Sequence, residues 1–183
     1  MTTVLWLLLI QGVMGAFDTL YYHEWKARLP ARGLQAKSEL RLHASRDFIY
    51  VVMFGSLPWV MWNGYLVIGL ALMLAAEIAI TLADFVVEDT VRKPLGGVYP
   101  GERVTHAMMG IIYGAMLANL IPVMMTWYHS STGFSALPQD VVPEPMRWAM
   151  ALMTVGLLGS GLRDLAASFE LPHSCWPWRR EHA

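Results

Sequence analysis

Cysteine is almost missing from this chain: one thiol, Cys175, stands in 183 residues. A lone cysteine excludes an internal disulfide framework, a CxxC redox pair and an all-cysteine metal site within one chain. Net charge is also small. Thirteen Lys and Arg oppose fourteen Asp and Glu, leaving -1 at pH 7, which gives no electrostatic basis for binding nucleic acid. There is no HExxH zinc motif, and the only ExxH spacing, Glu170 to His173, falls near the C-terminus. No internal repeat or low-complexity tract is apparent. No Lys or Arg precedes the first apolar run, MTTVLWLLLIQGVMGAF, which continues to Tyr22 and therefore reads as a retained helix rather than a signal peptide.

Apolar sequence is what the chain has in quantity, 56% of residues, laid out in long runs. A helix needs about 20 residues to cross a hydrocarbon core. The runs predict an all-α integral membrane protein, a single domain over 1–183, with five transmembrane helices in a bundle. Their expected bounds are about 4–22, 38–62, 65–87, 104–128 and 146–165, followed by a short cytosolic tail over 166–183. The second helix is expected to start below the membrane surface, because Glu39, His43 and Asp47 recur every four residues with no Gly or Pro between them. Trp62-Asn63-Gly64-Tyr65 reads as a tight turn, and KPLGGVYPGE, 93–102, as a loop that ends the third helix.

Basic residues set the orientation. Lys26, Arg28, Arg32, Lys37, Arg41, Arg46, Arg92, Lys93, Arg103, Arg163, Arg179 and Arg180 share one side, and Arg147 alone falls on the other. The positive-inside rule then places the N-terminus outside and the C-terminus in the cytosol of a bacterial-type inner (plasma) membrane.

With this threading, ionisable residues distant in sequence collect at the cytosolic ends of the helices, and the outer half has almost none. Intramembrane ionisable groups are expensive and mark function or paired structure. Glu77, Thr81, Asp84 and Glu88 form one stripe at i, i+4, i+7 and i+11, which must face protein. Three imidazoles with nearby carboxylates are a ligand set for zinc, another divalent metal, or a di-iron or di-manganese pair. The candidate ligands are His23, Glu24, His43, Asp47, Glu77, Asp84, Glu88 and His106. Asp18 and Tyr113 are candidates to orient ligands, and Arg103 and Arg163 to hold an anionic headgroup or a carboxylate. Any two of the three histidines could also hold a haem, but an axial pair in an acidic pocket is less natural than a metal with hard oxygen ligands.

The leading expectation is a membrane-embedded metal-dependent enzyme, an oxidoreductase of the di-iron type, acting on a lipid or other hydrophobic small molecule at the cytosolic face. Its partners would be membrane lipids and either another copy of the chain or a second membrane protein. A rival is a non-catalytic assembly subunit in which Arg46, Arg103 and Arg163 neutralise the carboxylates. A small transporter would need polar groups in the outer half, where Gln11 and Asn119 are the only support.

Overall fold

The computed structural model describes residues 1–179. Arg180 and the end of the expected tail, with His182, lie outside the described residues. The chain is mostly helical. Helix α1 (Thr2–Asp18) runs without a break into a π-helical stretch, Thr19–Lys26, and is followed by the short α2 (Leu29–Arg32) and then α3 (Lys37–Ser56). Strand β1 (Val60–Asn63) leads to α4 (Leu66–Arg92) and α5 (Pro100–Tyr128), and β2 (Gly133–Ala136) leads to α6 (Glu144–Ser168).

Among the described residues, four segments are long and apolar enough to cross a membrane: Thr2–Lys26, Leu66–Leu95, Pro100–Tyr128 and Glu144–Ser168. Their outward faces carry exposed Trp6, Leu72, Ile111 and Leu152, a surface suited to lipid rather than water. The second expected helix, 38–62, is shorter than its apolar pattern suggests. It ends at Ser56, just before Pro58, and residues 60–63 become β1. Proline cannot donate the amide hydrogen bond that continuation would need. β1 instead pairs antiparallel with β2, Val60 opposite Ala136 and Asn63 opposite Gly133, across the end of the bundle remote from the basic loops.

Local chemistry sets the turns. Gly64 has φ +59°, and a Cβ there would collide with Thr132, so the Asn63-Gly64 corner requires glycine. Gly96 and Gly97, also at positive φ, end the run after Pro94. α5 then starts with Pro100 in its first turn, and Glu102 Oε2 accepts the Tyr99 N–H at 3.3 Å. At the strand end of the bundle, the lone basic residue Arg147 is buried, donates to the Leu137 and Pro138 carbonyls and stacks on Trp59.

The structure reveals an internal duplication that the sequence reading missed. Glu39-x3-His43-Ala44 on α3, followed by Ile49, Tyr50, Met53 and Leu57, matches Glu102-x3-His106-Ala107 on α5, followed by Ile112, Tyr113, Met116 and Leu120, at identical spacing. The preceding helices match as well: Leu8, Gln11 and Asp18 on α1 correspond to Leu74, Glu77 and Asp84 on α4. After the aspartate the register shifts by one, so that His23 corresponds to Glu88. The π-helical stretch absorbs that extra residue, the usual effect of a single-residue insertion in a helix.

Packing follows the duplication. α1 packs on α5 and α3 on α4, so the first helix of each repeat lies against the second helix of the other. The strands that follow the second helices pair with each other in antiparallel fashion. This is the arrangement that a two-fold axis between the repeats produces. α6 lies outside the duplication and packs against α3. The segment after it folds back over the basic end, where Arg163 grips Glu24 in a two-pronged pair, Trp178 Nε1 donates to Glu24, and Arg28 lies over the Trp178 ring.

Candidate metal centre

Each helix of the duplication delivers a buried polar side chain to one layer at the basic end. α1 and its π-helical extension bring Asp18 and His23, α3 brings Glu39 and His43, α4 brings Asp84, Glu88 and Arg92, and α5 brings Glu102 and His106. All nine are buried. The spacing explains the convergence. Glu39 with His43 and Glu102 with His106 are i, i+4 pairs and share a helix face. Asp18 and His23 are five apart, a spacing that faces one direction only because the helix there is π-wound.

The distances are short. His106 Nε2 lies 3.1 Å from Asp18 Oδ2, and its duplicate, His43 Nε2, lies 3.3 Å from Asp84 Oδ2. His23 Nε2 is 3.3 Å from Asp18 Oδ2 and 3.2 Å from Glu102 Oε1, while its ring stacks on that of His43 with centroids 4.4 Å apart. His106 Nδ1 is 3.6 Å from Glu88 Oε2. Arg92 sits between the repeats, donating to Glu39 at 2.8 Å and to Glu102 at 3.0 Å. Arg46 reaches Asp84 at 3.1 Å.

Several of these atoms are close to their neighbours without making a hydrogen bond: Asp18 Oδ1, His23 Nε2, His43 Nε2, Asp84 Oδ1, Glu88 Oε2 and His106 Nδ1. Buried polar atoms are nearly always bonded. Here His23 Nε2, His43 Nε2, His106 Nδ1 and Glu88 Oε2 meet their neighbours as ion pairs at 3.2–3.6 Å without hydrogen-bond geometry, and Asp18 Oδ1 and Asp84 Oδ1 accept no hydrogen bond. Two donors bound to one ion at about 2.0–2.1 Å are roughly 2.9 Å apart at an octahedral angle and roughly 3.4 Å apart at a tetrahedral one. The observed nitrogen-to-oxygen separations of 3.1–3.3 Å fall between these values. Among the described residues, three groups have potential ligand atoms within 4.8 Å of one another: His23, Glu39 and His43; Glu88, Glu102 and His106; and Asp18, His23 and His106.

A second tier lies deeper in the bundle. Glu77 Oε1 accepts from the Tyr50 hydroxyl at 3.1 Å and the Thr81 hydroxyl at 3.0 Å, and Gln11 donates to the Tyr50 oxygen at 3.4 Å. Tyr113 donates to the Leu74 carbonyl, with its ring edge-on to Tyr50. Two cavities flank this tier. One, of ≈320 Å³, opens between α1, α3 and α6, and the other, of ≈280 Å³, opens between α4 and α5 beside Gly110 and Gly114. Both reach Gln11, Arg46, Tyr50 and Met109. A third hollow, bordered by Phe85, Val98 and Arg103, leads to Glu88 and His106 from the basic end.

Of the ligand candidates named from sequence, the structure brings together His23, His43, Asp84, Glu88 and His106, with Asp18 among them. Glu24 is turned toward Arg163 and Trp178, Glu77 belongs to the deeper tier, and Asp47 faces Gly161 of α6. Tyr113 lies in the deeper tier as well, Arg163 is occupied by Glu24 and the Trp176 carbonyl, and Arg103 is exposed beside Asp89. Glu39, Glu102 and Arg92 were not singled out as site residues. The duplicated Glu-x3-His spacing is the signal that would have found both glutamates.

No protein-family model matches the chain, and no curated protein or solved structure is significantly similar to it.

Proposed function

We propose that this protein is a membrane-embedded metal-dependent enzyme whose site lies at the cytosolic ends of its helices and acts on a lipid or other hydrophobic molecule. The observation that carries the reading is the buried layer in which imidazole nitrogens and carboxylate oxygens from four helices face one another at 3.1–3.6 Å, several of them without a hydrogen bond. In this reading α3 is a fifth membrane helix. The basic end faces the cytosol of a bacterial-type inner membrane because the Lys- and Arg-bearing segments are gathered there.

Charge supports a cation. Asp18, Glu39, Asp84, Glu88 and Glu102 are five buried carboxylates, and the arginines paired with them are Arg92 and Arg46. With the imidazoles neutral, the two arginines leave three of these five carboxylates unbalanced, and burying an unpaired ion costs several kcal/mol. A bound divalent metal supplies that charge in place of protons on His23, His43 and His106. The donor set of imidazole and carboxylate, with no thiolate, suits iron, manganese or zinc. Iron or manganese would provide the electron transfer of an oxidoreductase. The residues of the chain would hold the ion, orient its ligands through Arg92 and keep bulk water out. The two intramembrane cavities would admit the apolar part of a substrate from the bilayer, and the hollow beside Arg103 would admit metal and small co-reactants from water.

The competing reading is a structural ion-pair network in a partner-binding subunit. It draws on Arg92, which ties Glu39 to Glu102 across the repeats. Elemental analysis separates the two. Detergent-purified wild type should carry iron, manganese or zinc at near-stoichiometric level, His106→Ala should lose it, and Arg103→Ala, at an exposed position, should keep it. A folded, metal-free wild type would favour the structural network.

A further inference from the structure

The two repeats place chemically equivalent groups around two positions rather than one. His23, Glu39 and His43 of the first repeat correspond to Glu88, Glu102 and His106 of the second, and each of these triads independently has its ligand atoms within 4.8 Å of one another. Each also gains a carboxylate from the opposite repeat: Asp84 stands 3.3 Å from His43, and Asp18 stands 3.1 Å from His106. Every residue of both sets is more than nine-tenths buried. In each set at least two of the four residues have a ligand atom without a hydrogen-bond partner, His43 and Asp84 in the first and Glu88 and His106 in the second.

We infer that the chain holds two metal ions, one per repeat, in half-sites that duplication created and a single exchange, His23 for Glu88, has made unequal. The inference rests on the metal reading above and deepens it. The first half-site, His23, Glu39, His43 and Asp84, offers two nitrogens and two carboxylates. The second, Glu88, Glu102, His106 and Asp18, offers one nitrogen and three carboxylates. The oxygen-rich half-site narrows the affinity gap between zinc and the harder ions manganese and ferrous iron, and the nitrogen-rich one widens it in favour of zinc. Arg92, 2.8 Å from Glu39 and 3.0 Å from Glu102, lies between the half-sites and orients one glutamate of each. His23 borders both, since its Nε2 faces Asp18 and Glu102 while its ring stacks on His43.

The alternative geometry is one ion held by Asp18, His23 and His106, the triad that crosses between the repeats. The two arrangements differ in stoichiometry and in which variants matter. The full-length protein, stripped with chelator, loaded anaerobically with excess ferrous iron and desalted, is assayed for iron per chain. Two half-sites predict about two ions in wild type and about one in each of His43→Gln and Glu88→Gln. One ion in wild type, unchanged in His43→Gln, overturns the proposal in favour of the crossing triad and leaves the metal reading standing. No retained iron, manganese or zinc overturns both.

A measurement on wild type alone covers the case in which the variants do not fold. Manganese titrated into the wild-type protein and followed by electron paramagnetic resonance should show the six-line signal of free ion only after about two ions per chain are bound. Free ion that appears after about one equivalent contradicts the two-ion arrangement.

Discussion

His43 on α3 stands 3.3 Å from Asp84 on α4. The same relationship recurs between their duplicates, His106 on α5 and Asp18 on α1, at 3.1 Å. His43 therefore meets the aspartate of the second repeat and His106 that of the first, and neither pair can form within a single repeat. Asp18→Asn and Asp84→Asn should each lower metal affinity by at least roughly 10-fold, the lower end of what losing a supporting ligand contact costs. Competition against a chromophoric chelator measures this. An affinity unchanged in both variants would remove these carboxylates from the centre.

Arg92 is 1% exposed and joins Glu39 to Glu102. Arg92→Leu leaves two buried carboxylates without their cation, and breaking such a pair costs about 3–5 kcal/mol. Thermal unfolding in detergent should show a large drop in Tm for the single variant. Much of it should return when Glu39→Gln and Glu102→Gln are added, because the stranded charges are then gone.

The apolar runs made the helices and their order legible, and the long polar stripe of α4 correctly predicted a protein-facing surface around Glu77, Asp84 and Glu88. The end of α3 was not legible. Val60, Met61 and Trp62 are as apolar as a helix interior, and what removes them from the helix is Pro58 together with pairing to β2, a partner more than 70 residues away. Within the site, spacing drew attention to the histidines but not to Glu102, which reads locally as the cap of α5 and is one. Glu24 looked like a ligand because it adjoins His23, yet adjacent residues on a helix point in different directions. The duplication escaped notice because its identities are sparse, and because the one-residue shift between Asp18-x4-His23 and Asp84-x3-Glu88 breaks the alignment at the functional positions.

The cavity between α4 and α5 offers a test of substrate access. A Cβ added at Gly110 meets nothing within 4 Å, so a side chain can start there without a clash at its first carbon. Gly110→Phe should fold and retain its metal while binding of a fluorescent fatty acid falls roughly 10-fold, equivalent to about 1.4 kcal/mol. Binding that is unaffected would exclude this cavity as the route.

If the layer holds a metal, acidification should release it. Protons compete with the ion for imidazole nitrogens and carboxylate oxygens, so occupancy falls as pH falls and recovers when it is raised. Equilibrium dialysis of the loaded protein from about pH 8 to about pH 5 should show progressive loss. Glu24→Gln should not alter that curve, because Glu24 is engaged with Arg163 and Trp178 rather than with the histidines.

The central claim, that buried imidazoles and carboxylates from both repeats bind metal, is tested most directly by X-ray absorption at the metal edge on protein purified from membranes without added metal. The account predicts an iron, manganese or zinc edge with a first shell of nitrogen and oxygen only, near about 2.0–2.2 Å, and the outer-shell scattering of imidazole. No edge above that of a protein-free blank, or a shell containing sulfur, would contradict it.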